Sequence, residues 1–164
     1  MGIDCGTEYT GFGIAEQSER DRLHYVVAGA VRLSKKDPMP VRLAHIFEVL
    51  RAVIEEHQPQ VIAIEEVFYS VNPKSALKLV QVRGVAMLAS AYCGLPMAEY
   101  SPLAIKSSVV GYGHAEKRQV QHMVMKLLGL AEPPEPADAA DALAIAICHL
   151  HTAQTLARQT AGKR

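Results

Sequence analysis

The amino-acid sequence predicts a mixed α/β fold, in which helices pack on a single sheet. Three observations predict it. Strand-like, β-branched segments separated by polar turns fill the first 34 residues. A continuous apolar run in the middle of the chain has the character of a buried parallel strand. Helical segments precede and follow that run, which gives the order βββαβαβ with further helices after it.

The first three strands are predicted from the opening residues. The first strand ends at Asp4, and the segments Gly11–Gln17 and Leu23–Ser34 supply two more around a polar turn, so we expect a three-strand meander. A central strand usually needs about five residues, whereas only three residues precede Asp4. The first strand is therefore short, or the native start lies upstream of Met1.

The next predicted element is an amphipathic helix behind Pro38 and Pro40, because apolar residues recur there at helical spacing. The elements after it are a buried strand in QVIAIEEV, a helix over Ser75–Tyr92, a short strand in LPMAEYSP, a helix over Lys117–Leu128, a rigid linker in AEPPEP and a helix over Asp138–His149. We expect one domain over residues 1–152 and a flexible polar tail over residues 153–164.

The composition is that of a folded globular protein, with 49% hydrophobic and 21% charged residues among 164. No apolar run approaches the roughly 20 residues that span a membrane, and no basic-then-apolar leader marks the chain for secretion. The three cysteines are far apart and lack CxxC spacing. They indicate reduced thiols, so we expect a cytoplasmic protein without a membrane partner.

The charge is unevenly placed, although the formal net charge is zero. Residues 70–130 contain seven Lys or Arg and two acidic residues, a balance of +5 that leaves −5 for the rest of the chain. A basic segment beside acidic ends suits a protein that holds phosphates with one surface and metal ions with another. The alternative is an ordinary solvated helix face.

Acidic side chains follow two predicted strands and stand at the start of the last helix. Asp4 ends the first strand, and Glu65 and Glu66 end the central apolar run. Ligand-binding groups of open α/β sheets collect at the carboxyl ends of strands. Because successive strand residues point to opposite faces, only one of Glu65 and Glu66 can face Asp4. Asp138 and Asp141 are three residues apart and share one helix face.

Each acid taken alone has a structural explanation. Asp4 can be a turn residue, and capping of the helix is the simpler explanation for Asp138 and Asp141 considered as a pair. Taken together, three otherwise apolar segments deliver carboxylates that one sheet can bring to one point. Clustered carboxylates stay ionised only with a cation between them, and oxygen ligands favour Mg²⁺ or Mn²⁺.

A family resemblance is carried by six segments, in chain order: GIDCG, TGFGIAE, AIEEVF, SALKLVQVRGVA, KSSVVGYGHAEKRQVQHMV and ADAADALAIAICH. Together they resemble the RuvC family of bacterial Holliday-junction endonucleases, over nearly the whole chain except its C-terminal tail. The resemblance implies a ribonuclease H-like fold, a mixed five-stranded sheet with helices on both faces. One departure is Cys5, where the family commonly has Pro; it places a thiol beside the implied metal site.

The resemblance also implies functional residues. The catalytic and metal-binding carboxylates are Asp4, Glu65, Asp138 and Asp141, so that Glu65 rather than Glu66 is assigned. Phe68 matches a Phe that reaches the junction crossover, and Lys106 and Lys117 match lysines of the family. The remaining expected DNA-binding residues, neighbours of these in sequence or in the basic segment, are Tyr69, Lys74, Lys78 and Arg118.

By resemblance, the expected activity is hydrolysis of DNA phosphodiesters with about two Mg²⁺ ions per active site, and Mn²⁺ able to substitute. The implied substrate is the four-way DNA junction of homologous recombination and repair. A homodimer would nick two opposed strands symmetrically. The resemblance further implies cooperation with the RuvA and RuvB branch-migration proteins.

Three alternatives stay open from the sequence. A ribonuclease H-like nuclease with another nucleic-acid substrate has the same carboxylates. An actin-like or hexokinase-like nucleotide-binding domain has a similar Asp-x-Gly-Thr segment, although it needs two such domains and leaves Asp138 and Asp141 unexplained. A non-catalytic junction-binding scaffold is disfavoured because all four acids are present.

Overall fold

The structure, a computed structural model, describes residues 1–18, 21–66 and 73–161. Within these residues the strands are β1 (Gly2–Asp4), β2 (Tyr9–Gln17), β3 (Leu23–Arg32), β4 (Ile62–Glu65) and β5 (Met97–Tyr100). The helices are α1 (Met39–His57), α2 (Pro73–Tyr92), α3 (Pro102–Val110), α4 (Lys117–Leu127) and α5 (Ala137–Ala161).

The five strands form one sheet in the order β3-β2-β1-β4-β5. The pairs β1–β2 and β2–β3 are antiparallel, which confirms the predicted meander. Strand β4 lies parallel to β1 and to β5. The carboxyl ends of β1, β4 and β5 therefore meet at one edge of the sheet, where a ligand site is expected.

Helices cover both faces of this sheet, as predicted. On one face, α1 and α2 pack branched aliphatic side chains on the strands; the buried members include Ile3, Ile14, Val31, Ile46, Leu50, Ile54, Ile62, Ile64 and Val82. On the other face, α3, α4 and α5 form a second core. Its buried residues in α5 are three small ones, Ala144, Ala146 and Cys148, and three larger ones, Leu143, Ile145 and Ile147.

At two glycines of the sheet, the backbone of helix α5 contacts the strands without a side chain between them. A Cβ atom added to Gly2 would stand 2.0 Å from the main-chain oxygen of Ala142, and one added to Gly11 would stand 2.0 Å from that of Asp138. No other residue fits at these two positions unless the helix moves away. The glycines therefore set the distance between α5 and the first two strands.

Two elements differ from the sequence prediction. Helix α3 was not predicted; it begins after Ser101, whose side chain accepts a hydrogen bond of 3.2 Å from the N–H of Ala104. Helix α5 continues through residues 153–161, for which the sequence predicted a flexible tail, because no Gly or Pro interrupts it. An ion pair of 2.7 Å joins Arg158 to Asp21 beside the β2–β3 turn. Among the helices described, none is long and apolar enough to cross a membrane.

Candidate active site

Two carboxylates stand side by side at the ends of neighbouring parallel strands. Ile3 pairs with Ile64 in the β1–β4 ladder, and Asp4 and Glu65 each follow one residue later. Residues in register on parallel strands point to the same face. Glu66 comes next, is exposed, and donates its N–H to the carbonyl of Tyr100 at 2.8 Å. The structure thus places Glu65, not Glu66, beside Asp4.

The start of α5 brings two more carboxylates to the same edge. Asp4 pairs with Gly11 in the β1–β2 ladder, and the main chain of Asp138 rests on Gly11. The missing side chain at Gly11 therefore positions Asp138 next to Asp4. Asp141 follows almost one helical turn later and lines a cleft together with Asp4 and Glu65.

This cleft has a volume of about 250 Å³ and combines acidic, basic and apolar walls. Lys106 of α3 and Lys117 of α4 supply its basic side chains. The apolar lining consists of Pro102, Ile105, Val120, Ala144 and Ile145. Three carboxyl groups and two lysines on a partly apolar surface form a site that can hold both a metal ion and a phosphate.

Burial and mutual repulsion disfavour the ionised carboxylates. The pKa of Asp4 is raised from 3.8 to about 7, first by burial and then by the charges of Asp141, Glu65 and Asp138. Burial also raises the pKa of Glu65, with Asp141 adding to the shift, while Lys106 and Lys117 oppose it. The cluster is short of positive charge, which a bound cation would supply.

Lys117 supplies part of that charge. Its Nζ atom lies 2.5 Å from Oδ2 of Asp141. This hydrogen bond raises the pKa of Lys117, so the ammonium stays charged. Burial raises the pKa of Asp141, and the hydrogen bond from Lys117 opposes the increase. The carboxylate of Asp141 is therefore already paired with a cationic side chain of the protein.

The donor set fits a hard metal ion in its chemistry, because Asp4, Glu65, Asp138 and Asp141 offer only oxygen. As these side chains lie, no group of three or more His, Cys, Asp or Glu residues in the described part of the chain has the arrangement of a metal site. Asp141 is engaged with Lys117 in this arrangement. Metal binding at this cluster would require rotation of the carboxylates, and at Oδ2 of Asp141 a metal ion would compete with Lys117.

The other predicted site residues are only partly placed. Lys78 on α2 and Arg118 on α4 are exposed. Phe68 and Tyr69 lie outside the described residues, and the side chain of Lys74 does so too. Their predicted contacts with DNA therefore stay predictions.

Arg83 was not singled out as a site residue in the sequence, whereas Cys5 was noted beside the implied metal site. Arg83 of α2 reaches the main-chain oxygen of Glu65, and no sequence signal indicates this contact across 18 residues. Cys5 follows Asp4 and is half-buried. Burial, and then the neighbouring Asp4, raises the pKa of its thiol to about 12. Burial thus favours the protonated thiol, which suits a packing residue better than a nucleophile.

The sheet order, the parallel strand ends and the carboxylates gathered there define the ribonuclease H-like class of fold. The comparisons with known proteins are more specific. The family model described as "Crossover junction endodeoxyribonuclease RuvC" matches residues 1–149. The relative of that description from Koribacter versatilis is 68% identical over 161 residues, covering 98% of this chain and 97% of the relative. The Acidobacterium capsulatum relative is 57% identical, covering 97% and 96%.

Solved structures agree with the sequence comparisons. The structure "T. thermophilus RuvC in complex with Holliday junction substrate" is 28% identical and superposes with a TM-score of 0.86, covering 94% of each chain. The yeast mitochondrial resolvase Ydc2, at 18% identity and a TM-score of 0.65, shares the fold. The chain belongs to the RuvC family of crossover junction endodeoxyribonucleases.

Family membership confirms the predicted class of enzyme, a nuclease that hydrolyses DNA phosphodiesters. The family is metal-dependent, and its functions belong to recombination and repair. This membership also decides against the actin-like or hexokinase-like alternative.

Proposed function

We propose that this chain resolves four-way DNA junctions by paired, symmetric nicks, and that the cleft around Asp4 is where each strand is cut. The observation that carries the proposal is the meeting of Asp4, Glu65 and Asp141 with Lys106 and Lys117 in one cleft. The junction-bound T. thermophilus relative supports the choice of substrate. A nuclease acting on another nucleic-acid structure is the alternative that a substrate panel tests.

Four carboxylates would hold the metal: Asp4, Glu65, Asp138 and Asp141. Their oxygens suit Mg²⁺, about two ions per site, with Mn²⁺ as a substitute. When bound, the metal supplies an activated water and stabilises the leaving 3′ oxygen. The raised pKa of Asp4 supports this role, since burial and then the neighbouring carboxylates disfavour its ionised form, which a bound cation would stabilise.

The two cleft lysines would hold the DNA phosphate. Lys106 lines the cleft opposite the carboxylates, and Lys117 becomes available for a phosphate once Asp141 turns to the metal. Arg118, Lys74 and Lys78 would extend this basic surface along the DNA arms. Each lost phosphate contact should lower the slope of log K against log salt by about one unit.

Phe68 would act at the crossover, where it could stack on an unpaired base, with Tyr69 beside it. Stacking on an aromatic side chain is worth about 1–3 kcal/mol per base. Phe68→Ala should therefore reduce junction cutting about tenfold or more, with little loss of thermal stability. A sharply lower melting temperature would instead place the ring in the core, and the stacking role would be lost.

A homodimer would present one cleft to each of two opposed strands. Helix α2 offers a surface for it, an exposed apolar stripe at helical spacing that consists of Leu77, Val80, Gly84, Met87, Leu88 and Ala91. At Gly84 an added Cβ would meet no atom within 4 Å, so the backbone is open to close approach by a second helix. A two-fold axis through this stripe pairs it with itself. Val80→Glu should give monomers in light scattering.

Cooperation with RuvA and RuvB, and a cytoplasmic location, stay predictions.

The test of the site uses metal, DNA structure and carboxylates together. Wild-type protein with Mg²⁺ is given a four-way junction, a matched linear duplex and an RNA–DNA hybrid. We expect symmetric nicks in the junction only. Asp4→Asn, Glu65→Gln, Asp138→Asn and Asp141→Asn should each abolish cutting while sparing junction binding in EDTA.

The matched control is Glu66→Gln, which alters the exposed neighbour of Glu65 and should be much milder. Normal cutting by Glu65→Gln would contradict the proposed site. Equal cutting of the hybrid and the junction would contradict the proposed substrate.

A further inference from the structure

Arg83 connects helix α2 with the end of the strand that carries Glu65. One guanidinium nitrogen donates to the main-chain oxygen of Glu65, and another donates to the carboxylate of Glu99 on β5. Only 12% of the Arg83 side chain is exposed, against 45% for Glu99. The guanidinium thus lies at the carboxyl ends of β4 and β5. It lines a second pocket, next to the cleft, that also contacts Asp4 and Glu65.

The geometry of this contact restricts the strand end. The β1–β4 pairing ends at Ile3 and Ile64, whereas β4 stays paired with β5 through Glu65 and Tyr100. In the peptide group that joins Glu65 to Glu66, the N–H donates to the oxygen of Tyr100 at 2.8 Å and the oxygen accepts from Arg83, so both ends of the group are held. A planar guanidinium with two occupied donors fixes direction as well as distance, which a single ammonium does not. A change in φ or ψ at Glu65 would turn its Cα–Cβ bond and so move its carboxylate relative to Asp4.

We propose that Arg83 is a positioning residue for the nuclease reaction: it holds the main chain at Glu65 so that the Glu65 carboxylate stays aimed at the metal position beside Asp4. The inference rests on the proposed catalytic role of Glu65. Arg83 is not among the residues that line the cleft. It acts through the peptide oxygen of Glu65.

The place of Arg83 on α2 adds a second consequence. Gly84, the next residue, belongs to the exposed apolar stripe proposed as the dimer surface, whereas Arg83 points toward β4 and β5. In a dimer formed through this stripe, Arg83 would connect the interface helix with Glu65, alongside the buried face of α2 that packs on the sheet.

The experiment measures metal binding without DNA as well as cutting. The thermal shift of DNA-free protein is titrated with Mg²⁺, and single-turnover junction cutting is measured at saturating DNA. Arg83→Met should raise the half-saturating Mg²⁺ concentration about fivefold and lower the cutting rate about tenfold. Junction binding in EDTA should stay within about twofold. Arg83→Lys keeps a cation and should show smaller losses of both kinds.

Glu99→Gln is the matched control, because it removes the ion pair with β5 and leaves the Glu65 oxygen to Arg83. Its cutting rate and Mg²⁺ half-saturation should stay within about twofold of wild type. Losses in Glu99→Gln equal to those in Arg83→Lys would overturn the inference, since the ion pair alone would then explain them. Wild-type metal binding and rate in either Arg83 variant that folds would overturn it too.

Glu65→Gln separates this inference from the proposed function. If Glu65→Gln cuts junctions normally, the proposed site itself fails. If Glu65→Gln is inactive while folded Arg83 variants behave as wild type, the positioning role alone fails.

Discussion

The two faces of the sheet are packed by different rules. On the face covered by α1 and α2, branched side chains such as Ile46 and Leu50 fill the space between helix and strands. On the face covered by α5, the helix backbone approaches the strands directly at Gly2 and Gly11. The first face is a conventional aliphatic core. The second face brings main chain to main chain.

This difference bears on the position of the candidate active site, which lies on the α5 side. The close approach at Gly11 brings the start of α5, with Asp138 and Asp141, to Asp4. On the opposite face, α1 and α2 support the strands through packed side chains. The outer surface of α2 remains exposed, as the proposed dimer surface requires.

The largest expected difference between the two faces comes from adding one methyl group on the α5 face and removing one on the opposite face. Gly11→Ala adds a Cβ at 2.0 Å from the Asp138 oxygen, so α5 has to move. We expect a loss of about 3 kcal/mol in the free energy of unfolding, at the upper end for overpacking. The melting temperature should fall by roughly 6–12 °C for a chain of this size. Denaturant unfolding and junction cutting measure the two effects.

Ile46→Val is the matched change on the other face, and it removes one buried methyl group. It should cost only about 1 kcal/mol, with cutting unchanged. A Gly11→Ala protein that is stable and active would show that α5 is not held by backbone contact, and the contrast between the faces would be lost.

The sequence revealed the strands better than it revealed the contacts between them. Alternation and apolar runs predicted β2, β3 and β4, because each has a local pattern that burial enforces. Helix α3 was missed since PLAIKSSVV has adjacent β-branched and Ser residues without a helical period, and its start depends on one cap at Ser101.

In the candidate site, too, the sequence predicted residues that follow a local pattern and missed contacts between distant segments. Asp4 and the two acids of α5 were found because strand ends and helix starts are visible in sequence. The choice between Glu65 and Glu66 depended on which face of β4 meets the cleft, and alternation alone could not settle it. The contacts of Gly11 with Asp138, of Lys117 with Asp141 and of Arg83 with Glu65 join distant segments, so no local pattern carries them.

A second prediction uses pH to compare the cleft with the rest of the molecule. The pKa of Asp4 is about 7 in the folded protein against an ordinary value of 3.8. The folded state therefore holds a proton that the unfolded state has lost, and stability falls as pH rises between these values. The contribution of Asp4 is fully present below about pH 4 and lost above about pH 7.

Thermal unfolding in EDTA from pH 4.5 to pH 8.5 measures this dependence. Asp4→Asn should flatten it and raise the metal-free melting temperature at pH 8 by about 3 °C. Mg²⁺ should stabilise the wild-type protein more at pH 8 than at pH 5, because it binds the ionised carboxylates. If the metal-free melting temperature instead rises with pH, and rises equally in wild type and Asp4→Asn, ionisation of Asp4 does not destabilise the folded protein and the prediction is wrong.

The smallest expected effect concerns the two cations of the cleft. Lys117 is bound to Asp141 at 2.5 Å, so its ammonium competes with an incoming metal for that carboxylate. Lys117→Met removes the competitor and leaves the cluster more negative, so half-saturating Mg²⁺ in DNA-free thermal shifts should fall about threefold. Cutting should nonetheless decline, because the proposed phosphate contact is lost along with the charge.

Lys106→Met is the control: it removes a cation from the same cleft without freeing Asp141. We expect a smaller change in Mg²⁺ half-saturation for Lys106→Met, since Lys106 acts on Glu65 only through its charge. A half-saturation that rises in Lys117→Met would mean that Lys117 aids metal binding, and the ion pair would then be part of the assembled site.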